Sequence, residues 1–209
     1  MGCCPKGSLA AGSLIFGAMS KIGLYFGTFN PIHIGHCVIA QYMLEYTDLE
    51  EVWFVVTPHN PHKNKQSLLN DHQRLHMVNL AVGDHYKLRV SDIEFALPQP
   101  SYTAHTLAHL TEKYPDLAFH LIMGADNLES FPRWKNYQHI LENHELYVYP
   151  RIESKGGELR DHPRVHLTEA PIMQIASTEI RQAIKAGKDV SFMVPSAVWE
   201  YIDRELFYR

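Results

Sequence analysis

The sequence predicts one α/β domain in which helices cover both faces of a mostly parallel β-sheet. Short apolar runs alternate along the chain with stretches whose apolar residues recur at helical spacing, a pattern typical of such folds. The 209 residues, of which 45% are hydrophobic, are enough for one substantial core and cramped for two. No internal repeat, linker or low-complexity segment interrupts the alternation.

The first half of the chain predicts three strands, over residues 21–26, 51–57 and 88–90, because each range is a short apolar run. A helix is predicted between the first two strands from apolar residues on one helical face: Val38, Ile39, Tyr42 and Met43. After a loop rich in proline and lysine, Asp71 is predicted to cap a second helix. One face of that helix is predicted to hold Leu75, Val78, Asn79 and Val82.

The second half predicts a buried central strand over 117–123 that ends at Gly124, and shorter strands over 145–149 and 165–167. The predicted helices are one capped by Ser101 or Thr103 and running to Tyr114, one over 137–143, and one starting at Ser177. This order predicts a Rossmann-like domain. In such sheets ligands bind beyond the carboxyl ends of the strands, so the segments after the first strand and at Gly124 are expected to meet in one crevice.

Residues 1–20 are expected to form an extension outside the domain, which would then span residues 21–209, with Met19 as an alternative start. Gly2 stands where N-myristoylation requires it, but Lys6 occupies the position where Ser or Thr is needed. The weakly apolar stretch 9–18 is too short to span a bilayer. We therefore expect no membrane anchoring.

A formal net charge of −4 argues against a nucleic-acid surface, which needs clustered Lys and Arg. The three cysteines, Cys3, Cys4 and Cys37, suit neither a disulfide framework nor a metal site, because two are adjacent near the start and the third lies in a predicted helix. These features predict a cytoplasmic protein that acts on small molecules. They leave open whether it forms a homo-oligomer.

The junction after the first predicted strand reads Gly-Thr-Phe-Asn-Pro-Ile-His-Ile-Gly-His over residues 27–36. Gly27 and Gly35 permit a close approach to the backbone that a side chain would block. His36 falls in the first turn of the predicted helix, where free N–H groups and the positive end of the helix dipole favour anions. Because His33 lies three residues before it, both imidazoles can reach one phosphate group. The junction therefore predicts a phosphate-binding site.

A second candidate phosphate site is the predicted helix that begins at Ser177. Arg181 lies one turn after Ser177 on the same face, next to the hydroxyl of Thr178. Hydroxyls, free N–H groups and a guanidinium together suit a triphosphate. Taken alone, the segment is better explained as an ordinary helix cap followed by a surface arginine, and the His-x-Gly-His junction is what favours phosphate binding.

The motif His-x-Gly-His is accompanied, in chain order, by the segments 60–63, 100–107, 123–128 with Trp134, and 175–181. Together they resemble the nucleotidyltransferases with a His-x-Gly-His motif and, within them, the nicotinate mononucleotide adenylyltransferases of bacterial type. The resemblance spans residues 21–209. It departs from the pattern at Phe26, where many members carry a second glycine.

The resemblance implies a reaction of ATP with nicotinate mononucleotide that gives nicotinate adenine dinucleotide and pyrophosphate, assisted by Mg²⁺ carried mainly by the nucleotide phosphates. The attacking phosphate is already ionised at neutral pH, so neither a general base nor a covalent intermediate is needed. His33 and His36 are then expected to stabilise charge at the α-phosphate. Arg181, with Ser177 and Lys63, is expected to hold the leaving pyrophosphate.

The resemblance also implies two sets of contact residues. The expected ATP-binding residues are Gly27, Thr28, Phe29, Gly35, Lys63, Gly124, Asp126, Ser177 and Thr178. The expected mononucleotide-binding residues are Asn30, Tyr102, Thr103 and Trp134. Asp126 is expected to bind the adenosine ribose, and Trp134 to offer a flat face to the pyridine ring. No protein metal ligands are expected, because the helical pairs His72 with His76 and His105 with His109 are better explained as solvated faces.

Several alternatives stay open at this level. Adenylyl transfer to nicotinamide mononucleotide or to pantetheine phosphate would use the same first motif, as would glycerol-phosphate cytidylyl transfer or a nucleotide-binding sensor without catalysis. The tetrapeptide 33–36 also occurs in class I aminoacyl-tRNA synthetases. The chain has no Lys-Met-Ser-Lys-like second motif, which disfavours that class. The segment 100–107 and Trp134 favour the pyridine nucleotide branch.

Overall fold

The computed structural model describes residues 19–58 and 68–209, so most of the expected extension and the expected phosphate ligand Lys63 lie outside the described residues. The strands are β1 Ser20–Gly27, β2 Glu51–Val56, β3 Leu88–Ser91, β4 Leu117–Gly124, β5 Leu146–Tyr149 and β6 Val165–Leu167. The α-helices are α1 Ile34–Tyr46, α2 Asp71–Val82, α3 Thr103–Lys113, α4 Ala125–Ser130, α5 Tyr137–Asn143, α6 Ser177–Lys185 and α7 Ser196–Arg204.

The described strands form one sheet in the order β3-β2-β1-β4-β5-β6, and every pairing in it is parallel. This confirms the predicted fold class. β1 pairs with β2 on one side and with β4 on the other. From β1 the chain continues outward to β2 and β3, and from β4 it continues in the opposite direction to β5 and β6. A crevice forms beyond the carboxyl ends at such a switch point. The strands that end at Gly27 and Gly124 are thus neighbours, as expected.

Two buried clusters hold the helices against the sheet. One face packs against α1, α2, α6 and α7, and the other against α3, α4 and α5. Because both faces are covered, the inner strands are apolar along almost their whole length rather than in alternation. Among the described residues, no helix combines the length and the apolar character needed to cross a bilayer.

The start of α2 differs from the prediction. Asn70, not Asp71, is the N-cap, and its side chain accepts a hydrogen bond from the backbone N–H of His72 at 2.9 Å. The predicted inner face is confirmed at Val78, which is buried, and at Leu75 and Val82, which pack partly buried against the same core cluster, but it is wrong at Asn79, which is exposed. The fully buried residues Arg74 and Met77 were not predicted, the first because a charged residue does not count toward an apolar face.

Smaller differences concern other boundaries. Tyr102 caps α3 through its backbone, so the predicted capping by Ser101 or Thr103 is wrong. The helices α4 and α7 were not predicted, and β5 begins one residue later than expected. The predicted bounds 137–143 and 165–167 and the start of a helix at Ser177 are confirmed.

Candidate active site

A cavity opens at the carboxyl edge of the sheet and has two adjoining halves of about 550 and 590 Å³. The first, which we call the histidine half, is lined among others by Asn30, His33, Gly35, His36, Thr178 and Arg181. The second, which we call the aromatic half, is lined among others by Gly27, Phe29, Glu94, Tyr102, Thr103, Asp126 and Trp134. The halves are continuous because they share Tyr25, Thr28, His36, Tyr149, Arg151 and Ser177.

The two histidines stand at the start of α1 with their rings stacked, 3.7 Å between centroids and 29° between planes. His33 is the N-cap residue in extended conformation, which turns its ring back over the first turn. The backbone N–H of His33 donates to Nδ1 of His36 at 3.3 Å. In a neutral His36 the proton must therefore be on Nε2, which makes this atom a hydrogen-bond donor.

His33 is 5% exposed, and burial lowers its pKa to about 4, with the positive charge of Arg151 acting in the same direction. The imidazole is therefore neutral at physiological pH. Within the described part of the chain, its buried Nδ1 has no hydrogen-bond partner. A neutral imidazole can still donate one hydrogen bond without adding a full charge to the cavity.

The glycines of the motif make room chiefly for neighbouring rings. A Cβ on Gly35 would lie 3.1 Å from two atoms of the His33 ring, so the second glycine allows the stacked arrangement. A Cβ on Gly27 would lie 2.7 Å from the Phe29 ring, which is itself buried against Tyr25. Phe29 has a positive φ of 45° and an exposure of 2%, so only its backbone is available to a ligand.

The start of α6 contacts the turn that precedes α1. The Ser177 hydroxyl donates to the carbonyl of Pro31 at 2.9 Å. Arg181 donates from Nη1 to the carbonyl of Asn30 at 2.8 Å and from Nη2 to the Thr178 hydroxyl at 3.3 Å. These side chains line the histidine half as expected, and they also join the two segments that the sequence analysis predicts to bind phosphate.

Tyr102, Thr103 and Trp134 meet in the aromatic half, although more than 30 residues separate the first from the last. The ammonium of Lys135 lies 4.6 Å above the centre of the Tyr102 ring, which adds a positive charge to this half. Asn30 lies in the histidine half instead. Its Oδ1 accepts hydrogen bonds from the Leu69 N–H at 3.3 Å and the Tyr208 hydroxyl at 2.8 Å.

Arg151 was missed by the sequence reasoning although it lines both halves of the cavity. Its guanidinium stacks over the Tyr149 ring at 5.1 Å and lies 3.5 Å from the Asp126 carboxylate. Gly124 does not line either half, because the space of its absent side chain is taken by Asp126 and Arg151. The position of Arg151, two residues after a buried strand on this edge, is the signal that could have found it.

Glu94 was also missed. It is 2% exposed, it lines the aromatic half, and its Oε1 accepts a hydrogen bond from the Thr106 hydroxyl at 2.7 Å. Burial raises the pKa of its carboxyl, against the opposing effect of hydroxyl groups around it. A single carboxylate between the apolar residues Ile93 and Phe95 was the available sequence signal.

The described residues contain no group of three or more His, Cys, Asp or Glu side chains that could hold a metal ion. His72, His76 and His105 are exposed, as predicted for solvated faces, whereas His109 is partly buried. Asp126 is the more accessible carboxylate of the cavity, with 55% of its side chain exposed, and it faces Arg151.

Comparisons with known proteins identify the family of the chain. The family model described as cytidylyltransferase-like matches residues 24–183. A protein of Flavobacterium johnsoniae named "probable nicotinate-nucleotide adenylyltransferase" is 58% identical over 191 residues, which cover 90% of this chain and 99% of the relative. A protein of Bacteroides fragilis with the same name is 45% identical and is covered to 92%, against 88% of this chain.

The fold has similar solved structures. The nicotinic acid mononucleotide adenylyltransferase of Plasmodium falciparum, solved in complex with NaAD, superposes with a TM-score of 0.75. The match covers 90% of this chain and 97% of that one at 20% identity. At this identity the likeness concerns the fold alone.

Proposed function

Because the chain belongs to the nicotinate-nucleotide adenylyltransferases of the cytidylyltransferase-like family, we propose that it joins ATP to nicotinate mononucleotide in the cavity described above. The observation that carries the proposal is that the stacked rings of His33 and His36 share one half of the cavity with Arg181, while aromatic residues line the adjoining half. A triphosphate and a pyridine ring need these two environments side by side. The products would be nicotinate adenine dinucleotide and pyrophosphate.

The histidines act on the α-phosphate of ATP in this proposal. The ionised phosphate of the mononucleotide attacks the α-phosphorus, a bond forms between them, and the bond to the β-phosphate oxygen breaks. Nε2 of His36 carries a proton that can be donated to a non-bridging oxygen as negative charge develops there. Its orientation is supported by the hydrogen bond from the His33 backbone to Nδ1.

Cationic groups hold the departing pyrophosphate. Arg181 lines the histidine half at the start of α6, and Arg151 lines both halves, so we assign them to the phosphate chain together with the hydroxyl of Thr178. Lys63 is proposed as a further ligand on the basis of the family resemblance. The ammonium and guanidinium charges would favour the leaving group in proportion to the charge it gains.

The acceptor is proposed to bind in the aromatic half. Trp134 offers a ring face to the pyridine, and backbone groups of Tyr102 and Thr103 at the start of α3 can meet its carboxylate. Asp126 is proposed to accept hydrogen bonds from the adenosine ribose. Mg²⁺ is proposed to enter with ATP, bound by phosphate oxygens and water, and to neutralise phosphate charge.

The test is a comparison of acceptors with the purified full chain. We expect release of pyrophosphate from ATP with nicotinate mononucleotide, and at least a tenfold lower kcat/KM with nicotinamide mononucleotide, because the amide lacks the negative charge. Pantetheine phosphate and a reaction without acceptor serve as controls. Equal kcat/KM for the two mononucleotides would contradict the proposed specificity, and no turnover with either would contradict the proposed reaction.

A further inference from the structure

Arg74 in α2 is a charged residue with no exposed surface, at 0% accessibility. Buried arginines are retained only where their donors find partners, because an unpaired buried charge is strongly unfavourable. The role of this residue therefore depends on which groups it binds. It faces the loops at the carboxyl edge rather than another helix.

The guanidinium of Arg74 binds four backbone carbonyls and one carboxylate. Nη1 donates to the carbonyl of Thr28 at 2.5 Å and to that of Thr57 at 2.9 Å. Nε donates to the carbonyl of Leu69 at 3.1 Å. Nη2 donates to the carbonyl of Pro58 at 3.2 Å and to Oδ1 of Asp71 at 2.6 Å. One planar group thus joins the segments after β1 and β2 to the start of α2.

Two of the residues that supply these carbonyls also line the cavity. Thr28 lines both halves and Thr57 lines the aromatic half. The turn from Thr28 to His33 is held at its far side by Arg181, which binds the Asn30 carbonyl, and by Tyr208, which binds the Asn30 side chain. Arg74 holds the same turn on the side that faces the sheet, through the carbonyl of Thr28. Without it, the carbonyl of Thr28 would lose the guanidinium that joins it to Thr57, the residue after β2.

We propose that Arg74 is a positioning residue for adenylyl transfer: through Thr28 and Thr57 it fixes the turn that sets His33 and His36 against the reacting phosphate. The inference rests on the proposed function. An arginine is required because its five donors lie in one plane, whereas a lysine ammonium has three donors at one point and cannot reach all these acceptors together. A displacement of about 1 Å at a catalytic group can cost on the order of a hundredfold in rate.

The main test compares Arg74→Lys with Arg74→Met and with Met77→Ala. Met77 lies in the same helix, is also 0% exposed, and belongs to the core cluster rather than to the cavity, so it is a matched control for lost stability. At a temperature below all thermal midpoints, we expect Arg74→Lys to lower kcat at least thirtyfold while the KM for ATP changes less than threefold. Arg74→Met should be lower still, and Met77→Ala should stay within twofold of the parent.

A second variant covers the case in which neither Arg74 variant folds. Asp71→Asn weakens the ion pair to Arg74 at a side chain that is 44% exposed, so the fold should be retained. We expect a threefold to tenfold loss of kcat with an unchanged KM for ATP. A kcat for Asp71→Asn equal to that of the parent, or an Arg74→Lys kcat no lower than that of Met77→Ala, would overturn the inference.

Hydrogen exchange of the unliganded protein gives a readout that does not need the reaction. Amides in the segment 28–37 should exchange faster in Arg74→Lys, or in Asp71→Asn, than in the parent and in Met77→Ala. Unchanged exchange there would overturn the role of Arg74. If the parent protein showed no adenylyl transfer, the proposed function would fail, while the exchange data would still decide whether Arg74 holds the turn.

Discussion

The two edges of the sheet use similar side chains in opposite ways. At the amino edge, Lys21 forms ion pairs with Asp48 at 2.5 Å and with Glu145 at 3.2 Å, and the Tyr147 hydroxyl lies within hydrogen-bond distance of both carboxylates. We call these four residues the amino-edge cluster. At the carboxyl edge, charged groups such as Arg151 line a cavity instead of a closed network. At the amino edge the polar groups bind one another, whereas at the carboxyl edge they surround a cavity.

The comparison is sharpest for two histidines. His33 at the carboxyl edge and His120 near the amino edge both have a pKa lowered to about 4, mainly by burial. Nδ1 of His120 accepts the N–H of Glu145 at 3.1 Å, and its Nε2 has no hydrogen-bond partner among the described residues. A shifted pKa alone would therefore not distinguish a catalytic histidine from a structural one. The cavity and the stacked neighbour make the difference.

The largest expected effect is at His36. His36→Ala should lower turnover at least about a hundredfold, because the donor to the α-phosphate is lost. Alanine removes the acceptor of the His33 N–H but none of the cationic groups of the cavity, so the affinity for ATP should stay within a modest factor of that of the parent. Steady-state kinetics and calorimetric ATP binding measure the two quantities. Turnover close to that of the parent would contradict the proposal that the carboxyl edge, unlike the amino edge, is catalytic.

A smaller effect, on the free energy of unfolding, is expected when the pH is lowered. An unfolded histidine binds a proton near pH 6.5, whereas folded His120 and His33 do so only near pH 4. The unfolded state thus binds more protons in this window, and stability falls as the pH drops from 6.5 toward 4. For each histidine the free energy of unfolding at pH 5 is lower than at pH 7 by about 1–2 kcal/mol, since one pKa unit corresponds to roughly 1.4 kcal/mol.

His120→Asn separates the two contributions. Asparagine can accept the Glu145 N–H but does not titrate, so the loss of stability between pH 7 and pH 5 should shrink by the share of His120. Asp48 and Glu145 have lowered pKa values, so their stabilisation is lost mainly as the pH falls below about 5, outside the interval from pH 7 to pH 5. Urea unfolding at both pH values measures the change. An identical pH dependence in parent and variant would rule out this role of His120.

The smallest effect is expected for the amino-edge cluster. Lys21→Met should cost no more than about 1 kcal/mol of unfolding free energy, because the ammonium and the Asp48 carboxylate are 33% and 59% exposed. The cost should shrink in about 0.5 M salt, where the Debye length is only a few ångströms. Adenylyl transfer should remain within twofold of the parent. A tenfold loss of activity would show that the edges are coupled through the sheet.

The histidine motif illustrates what could be predicted. The strand, the turn and the first turn of α1 lie within residues 20–36, and spacing within one helix decides which side chains share a face. The stacked imidazoles at the N-terminus of α1 therefore follow from local order. The same holds for Ser177 and Arg181, which are four residues apart in α6.

The site residues that were not predicted come from separate parts of the chain. Arg151, Glu94 and Arg74 each follow or precede a different strand, and no spacing along the chain relates them to the histidines. Arg74 was overlooked because a charged residue does not count toward an apolar face. Its burial depends on carbonyls from three other segments.

The sequence by itself determined the alternation of strands and helices and the placement of the glycines, imidazoles and hydroxyls at the starts of two helices. Those properties depend on neighbours within a few residues, where backbone geometry sets the distances. Only the tertiary structure decided which strand ends meet around the cavity and which charges are buried there. That outcome depends on the sheet order, which pairs residues of β1 and β4 that are 97 positions apart, such as Ser20 and Leu117, and which is set by the packing of the whole core.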